Sequence, residues 1–373
     1  MKYYVIAGEA SGDLHASHLI REIFKADSNA EVRGWGGDLM MKEGMQLDKH
    51  YKDAAFMGFL EVVANLKTVM RNMKQCKQQI LDFRPDALIL VDYPGFNLRI
   101  AEFAARQPFK VFYYIAPKAW AWKQSRGNKL SRYVDKLFAI LPFEEAFFEK
   151  FGVNTEYVGN PLLDYLDLTT TEDAKESFLK KNELMHMPII ALFPGSRKQE
   201  INAILPEMIK VSSLYEDYQF VIGGAPSQDI SIYRQHMKEE NIPVLFNQGQ
   251  ELMKYSEAAL ITSGTATLEA ALLNLPQVIC YKGNKISIEI ARRVVNVDYI
   301  GLANLILDEQ VIPELIQNNM TVERMNKELD SMLHDRSRRE ELFKDYARLR
   351  EVVGGPGASA KVAQGIVREL SLH

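Results

Sequence analysis

Short apolar runs recur along the chain, each followed by a polar corner rich in Gly, Pro or Ser and then by apolar positions at helical spacing. In the first half they cover residues 3–7, 87–91, 111–115 and 137–141; in the second, 189–193, 220–223, 258–262 and 278–281. Unbroken apolar strands of this kind are buried on both faces, which calls for parallel sheets covered by helices. Between residues 158 and 173 the stretch VGNPLLDYLDLTTTED breaks the alternation, and Thr171 ahead of Asp173 and Ala174 reads as a helix start. The expected fold is therefore α/β, with two doubly wound, Rossmann-like domains: residues 1–165, and residues 166–344. A tail, residues 345–373, carries a Gly-Gly-Pro-Gly break and one more helix, which is free to pack on the first domain or on a partner subunit. Ligands of such domains gather at the carboxyl ends of the strands.

Length supports two cores, since 373 residues exceed the usual size of one domain. The composition, 47% hydrophobic and 25% charged, is that of an ordinary soluble protein. A net charge of −4 without a charged tail gives no reason to expect nucleic acid. Cys76 and Cys280 have no companion at metal or redox spacing, which fits a reducing cytosol. No run approaches the roughly 20 apolar residues that span a bilayer, and MKYYVIAGEASGD is too short an apolar opening for a signal peptide.

Two corners in the second half point to phosphate. In TSGTATLEAAL, Gly264 permits a tight turn, the hydroxyls of Ser263, Thr265 and Thr267 can bond phosphate oxygens, and a helix starting near Ala266 offers free N–H groups. Glu269 follows, placed to accept from ribose hydroxyls. Plain N-capping explains an isolated Ser-Gly-Thr equally. FPGSRKQEI repeats the logic with Ser196, Arg197 and Glu200, and a charge-assisted bond from Arg197 is worth about 1.5–3 kcal/mol. Further on, Asn304 sits among apolar residues, while Glu314 and Gln317 would share a helical face; the three could read a base, or Asn304 could cap a turn.

In the first half, VDYPGFN places Asp92 past a buried strand, where a carboxylate can take a proton from a hydroxyl. An ordinary value of about 3.9 makes it a weak base. An Asx-turn is the alternative. Gly8, Glu9, Ser11, Gly12 and Asp13 are read as a loop whose two acids suit sugar hydroxyls, or the ordering of neighbouring loops, better than phosphate; His15 fits the surface as well as a function. Phe59, Val62, Val63, Leu66, Val69, Met70 and Met73 fall on one face of a helix carrying Lys67, Arg71, Lys74 and Lys77, the pattern of a helix on anionic lipid. A core-facing helix with a solvated basic side fits too. Trp120 and Trp122 amid Lys and Arg add a second interfacial candidate, or core packing.

Taken in order, AGEASGD, MGFLEVV, VDYPGFN, YYIAPKAWAWK, ILPFEEAFF, VGNPLLD, FPGSRKQEI and TSGTATLEA resemble the signature series of the lipid-A-disaccharide synthases, over nearly the whole chain. The resemblance implies a B-type glycosyltransferase whose two domains face across a cleft. It implies transfer from UDP-2,3-diacylglucosamine to 2,3-diacylglucosamine 1-phosphate (lipid X), with inversion and no metal or other cofactor, in lipid A biosynthesis. The expected setting is cytoplasmic and peripheral, on the inner-membrane lipid surface, as a homodimer. Asp92 matches the base. Arg197 and Ser196 match the diphosphate contact, and Ser263, Gly264, Thr265, Ala266 and Glu269 the UDP turn. Asn304 and Gln317 fit the nucleotide pocket, and Asn97 joins the acceptor-binding candidates. The chain departs from the pattern at Gly95, Ala116, Lys123 and Asn160, where Asp, Ser, Arg and His are frequent; Gly95 leaves Asp92 the one carboxylate of its turn, and Asn160 puts a catalytic role at that position in doubt.

Overall fold

The computed structural model describes residues 1–54, 66–121, 123–237, 241–283 and 297–371. The chain forms two compact units, one of Met1–Tyr165 with Val353–His373 and one of Leu166–Val352. The expected tail began at residue 345; the division falls between Val352 and Val353 instead, because the helix Arg336–Val353 runs unbroken through that point.

The first unit holds seven parallel strands: β1 (Lys2–Ala7), β2 (Glu31–Gly36), β3 (Gln46–His50), β4 (Ala87–Val91), β5 (Lys110–Tyr114), β6 (Lys136–Ala139) and β7 (Thr155–Tyr157). Their order is β3-β2-β1-β4-β5-β6-β7. Alternate residues serve opposite faces: Tyr4, Ile6, Leu88 and Leu90 pack in one core, Tyr3, Val5, Ile89 and Val91 in the other. The C-terminal helix Ala358–Ser371 completes the second core with Val362, Ala363 and Ile366. Its N-terminus is tied down by Asp164, whose carboxylate accepts from the N–H groups of Gly357 at 2.6 Å, Ala358 at 3.1 Å and Ser359 at 2.8 Å. That helix therefore packs on its own chain's first unit.

The second unit has six parallel strands: β8 (Ile189–Phe193), β9 (Gln219–Gly224), β10 (Val244–Phe246), β11 (Ser256–Thr262), β12 (Gln277–Tyr281) and β13 (Glu314–Ile316), ordered β10-β9-β8-β11-β12-β13. Both sheets are covered on both faces, the α/β architecture expected from the apolar runs. The eight expected strands are present. Those without an apolar run to announce them are β2 and the edge strands β3, β7, β10 and β13. Glu314 lies in β13 rather than on a helix with Gln317.

Each order reverses once, between β1 and β4 in the first sheet and between β8 and β11 in the second. At such a switch point the connections leave in opposite directions and open a crevice at the carboxyl ends of the two strands.

Candidate active site

At the first switch point Ala7 pairs with Val91, so Gly8-Glu9 and Asp92-Tyr93 leave the sheet side by side. Asp92 and Tyr93 both adopt left-handed backbone, with φ of 44° and 47°, a conformation that persists in such residues only where surroundings enforce it. The enforcing contacts are visible. The Asp92 N–H donates to the Tyr114 carbonyl at 3.0 Å, and the Asp92 carbonyl accepts from Tyr113 Oη at 2.6 Å and Asn97 Nδ2 at 2.8 Å. A side chain on Gly8 would run into the Tyr93 ring, so glycine is what lets the two corners close together.

The Asp92 carboxyl is part-buried and shares a hydrogen bond with Glu9. Burial first, and then the Glu9 charge, push it up to about 7; Lys118 and the Tyr93 N–H pull the other way. The weak base expected from the sequence is thus corrected to one poised near neutrality, and Asp92 is not a lone carboxylate. Fully buried Glu144 accepts from Trp120 Nε1 at 3.0 Å and from the Ile140 and Leu141 N–H groups at 3.1 Å each. Burial pushes it up to about 7 as well, against these hydrogen bonds and Lys118. Sequence reasoning passed over Glu144, Lys118 and Tyr113; the acid inside the apolar run ILPFEEAFF was the one signal available.

Several sugar-binding candidates turn out to be structural. The helix Ala10–Ala26 starts at Ala10, so Ser11, Gly12 and Asp13 lie in its first turn and not in a loop. Asp13 is buried and spends its carboxylate on the N–H groups of Gly37 at 2.7 Å, Leu39 at 3.2 Å and Met40 at 3.2 Å, capping the helix Asp38–Lys42. Gly12 is buried against Ala7. Asn97 is fully buried and fastens the strand ends, donating also to the Val91 carbonyl at 3.2 Å. His15 is buried and kept neutral, lowered to about 4 by desolvation. Asn160 caps the turn Pro161–Asp164, its Oδ1 accepting from the Leu162 N–H at 3.0 Å. Trp120 is a buried partner of Glu144 and no interfacial anchor; Trp122 lies outside the described residues.

Of the docking residues, Phe59, Val62 and Val63, with the Leu66 side chain, lie outside the described residues. In the helix Leu66–Phe83, Met73 packs in the core with Cys76 and Ile80, so the face expected to meet lipid turns inward there. Val69 is part-exposed and Met70 is 61% exposed, beside exposed Lys67, Arg71 and Lys74.

At the second switch point Phe193 pairs with Ile261. After β11, Gly264 has extended backbone and open space where a Cβ would point, so its use is room and not a tight turn. The helix Thr265–Leu272 starts one residue before the expected Ala266, with Thr265 exposed. Ser263 Oγ donates to the Ile300 carbonyl at 2.8 Å, and Thr267 Oγ1 to the Gly264 carbonyl at 2.8 Å. Glu269 is bonded by Gln250 and raised by burial. After β8, Gly195 is left-handed, φ 112°, and a Cβ there would stand 2.7 Å from Glu200 Oε2. That oxygen accepts from the N–H groups of Ser196 at 3.2 Å and Arg197 at 3.3 Å. These N–H groups are already used, which corrects the expected phosphate elbow: what this corner presents is the Arg197 guanidinium, 71% exposed and 3.0 Å from Glu200 Oε1.

For Asn304 the structure shows the turn-capping alternative. It is fully buried, accepts from the Val311 and Ile312 N–H groups and donates to the Ile312 carbonyl and to Glu314. Glu314 in turn holds the Ile300 and Gly301 N–H groups at 2.9 Å each. The pair supports the loop to which Ser263 is bonded and is not free to read a base. Gln317, left-handed at φ 57°, stands at the end of β13 and donates to the Gly283 carbonyl at 3.4 Å.

Two parallel, doubly wound units with crevices at their switch points define the class of B-type glycosyltransferases and the sugar-nucleotide epimerases that share their fold. Solved structures of that class are similar over the full length. UDP-GlcNAc 2-epimerase from Neisseria meningitidis bound to UDP-GlcNAc gives a TM-score of 0.72 at 12% identity, covering 99% of this chain and 100% of that one. The calicheamicin glycosyltransferase CalG4 gives 0.60 at 15% identity, covering 99% and 98%. A family model described as lipid-A-disaccharide synthetase matches residues 3–364. Relatives named lipid-A-disaccharide synthase are 35% identical over 372 residues in Geobacter metallireducens, covering 98% of this chain and 96% of the relative, and 34% identical over 366 residues in Syntrophus aciditrophicus, covering 96% and 95%. The chain belongs to the lipid-A-disaccharide synthetase family, and is a glycosyltransferase of lipid A biosynthesis.

Proposed function

We propose that the chain transfers 2,3-diacylglucosamine from UDP-2,3-diacylglucosamine to the 6-hydroxyl of lipid X, with inversion at C1. Asp92 accepts the hydroxyl proton as the acceptor oxygen bonds to C1; the bond from C1 to the diphosphate breaks, and its electron pair leaves with UDP. Arg197 and the N-terminal end of the helix Thr265–Leu272, opened by Ser263-Gly264, carry the departing charge, so in this reading no metal ion is needed. The observation that carries it is topological: Asp92 follows β4, and Arg197 and Ser263 follow β8 and β11, each a strand that flanks the single reversal of its sheet.

Substrates with several acyl chains stay in the bilayer, since each buried CH₂ is worth about 0.8 kcal/mol. The chain must therefore reach them at a surface, and among the described residues no helix is long and apolar enough to cross a membrane. Docking on the cytoplasmic face of the inner membrane, with Met70 and its basic neighbours contributing, completes the reading.

The test is UDP release by purified protein supplied with donor and acceptor. Asp92→Asn should lower kcat by about 10²–10⁴-fold with little change in donor KM. Undiminished turnover would retire Asp92 as base, and UDP release without acceptor would point away from transfer.

A further inference from the structure

We propose that Glu9 is a positioning residue for Asp92: its carboxyl group is aimed at the Asp92 carboxyl across the first switch point, where it tunes that group as proton acceptor instead of binding sugar. This rests on the reading of Asp92 as base. The geometry is specific. The register Ala7 to Val91 brings the two corners together, and the absence of a side chain at Gly8 leaves room for the Tyr93 ring against it. Glu9 stands at the N-cap of the helix Ala10–Ala26 yet its side chain makes no capping bond. It accepts instead from Ser11 Oγ at 3.3 Å and shares a hydrogen bond with Asp92. The backbone that carries Asp92 is held in place, because its carbonyl accepts from Tyr113 and Asn97.

Two carboxyl groups in contact do not both ionise readily. The charged and titratable groups facing Asp92 are Glu9 from the corner after β1, Lys118 from the segment after β5, Tyr113 on β5 itself, and Arg126 on the helix Ser125–Tyr133. Burial and Glu9 raise Asp92, whereas Lys118 lowers it. A base is most effective when its affinity for the proton matches the working pH, and Glu9 supplies part of that match. During transfer the proton passes from the acceptor hydroxyl to Asp92, and Glu9 acts only through it.

The experiment is the pH profile of kcat/KM for the full chain with both lipid substrates in detergent micelles, from about pH 5.5 to about pH 9. In the wild type the profile should rise through about 7 as Asp92 ionises. Glu9→Gln should move that limb to lower pH and lower the plateau kcat about tenfold, with both KM values nearly unchanged. Glu9→Asp, which keeps the charge but draws it back, should give an intermediate limb, and serves as the test should the Gln variant not fold. An unmoved limb, or a rise in acceptor KM alone, would overturn the proposal while leaving Asp92 as base. Full activity of Asp92→Asn would instead remove the base reading itself.

Discussion

At the scale of single residues, the carboxyls of Asp92 and Glu144 carry a consequence for stability. Both are pushed up to about 7, against ordinary values of about 4 in an unfolded chain. A group that holds its proton more tightly when folded stabilises the fold fully below its unfolded value, and that contribution is lost as pH rises toward the folded value. The window is therefore from about pH 4 to about pH 7, with stability falling as pH rises. Asp92→Asn has no such proton to lose at this position. Its Tm should gain on the wild type steadily between about pH 4.5 and about pH 7 and stay level above, which thermal unfolding across that range would check. Asp92 was legible in the sequence because a carboxylate ending an apolar run stands out. Its partner was not, because the contact of Glu9 with Asp92 depends on β1 lying next to β4, a pairing no local pattern encodes. The same blindness put Asn97 among the ligand-binding candidates and left Asp13 and Asn304 undecided between a ligand and a structural role. A polar residue beside a glycine-rich corner looks like a ligand until the backbone groups it satisfies are seen.

At the scale of elements, apolar runs announced the central strands since these are buried on both faces, whereas edge strands such as β3 and β7 are half-buried and carry charges. The corners between strand and helix were legible by composition, but their use was not. Gly264 and Arg197 separate the two meanings of such a corner. Gly264→Ala puts its methyl into open space on extended backbone, so unfolding midpoints should barely move, while the affinity for UDP should fall if a diphosphate lies there. Arg197→Gln loses an exposed i,i+3 pair with Glu200, worth about 0.5 kcal/mol or less. Its UDP affinity should nevertheless drop by about 10- to 100-fold, the equivalent of a charge-assisted bond; titration calorimetry reads both variants. On the helix Leu66–Phe83 the inward turn of Met73 leaves Met70 as the most exposed large apolar residue among the described ones, ahead of Leu81. Met70→Glu should weaken co-sedimentation with anionic vesicles without lowering Tm, and equal binding would remove this helix from the docking surface.

At the scale of the whole molecule, the chain leaves the first unit at Tyr165 and re-enters it at Val353, so that unit is incomplete until the last helix has been made. Val362, Ala363 and Ile366 are core residues of the first sheet, and Gly365 passes so close to Phe138 that a Cβ would stand 2.9 Å from its ring. Around this contact Lys136 pairs with Glu156 at 2.8 Å and Glu369 at 3.3 Å, and Tyr157 Oη donates to the Val353 carbonyl at 2.8 Å. A tail satisfied in this way is part of the first unit's core. Ile366→Ala should then cost about 2–5 kcal/mol of the first unit's stability, since it empties a fully buried site. The residues assigned to the diphosphate belong to the other unit, so the variant should still bind UDP with wild-type affinity at temperatures below its lowered unfolding midpoint. Calorimetric unfolding with and without UDP distinguishes the outcomes. A midpoint unchanged by the substitution would mean that the helix contributes nothing to that core. A lowered midpoint that rises with protein concentration would mean that its partner is a second chain.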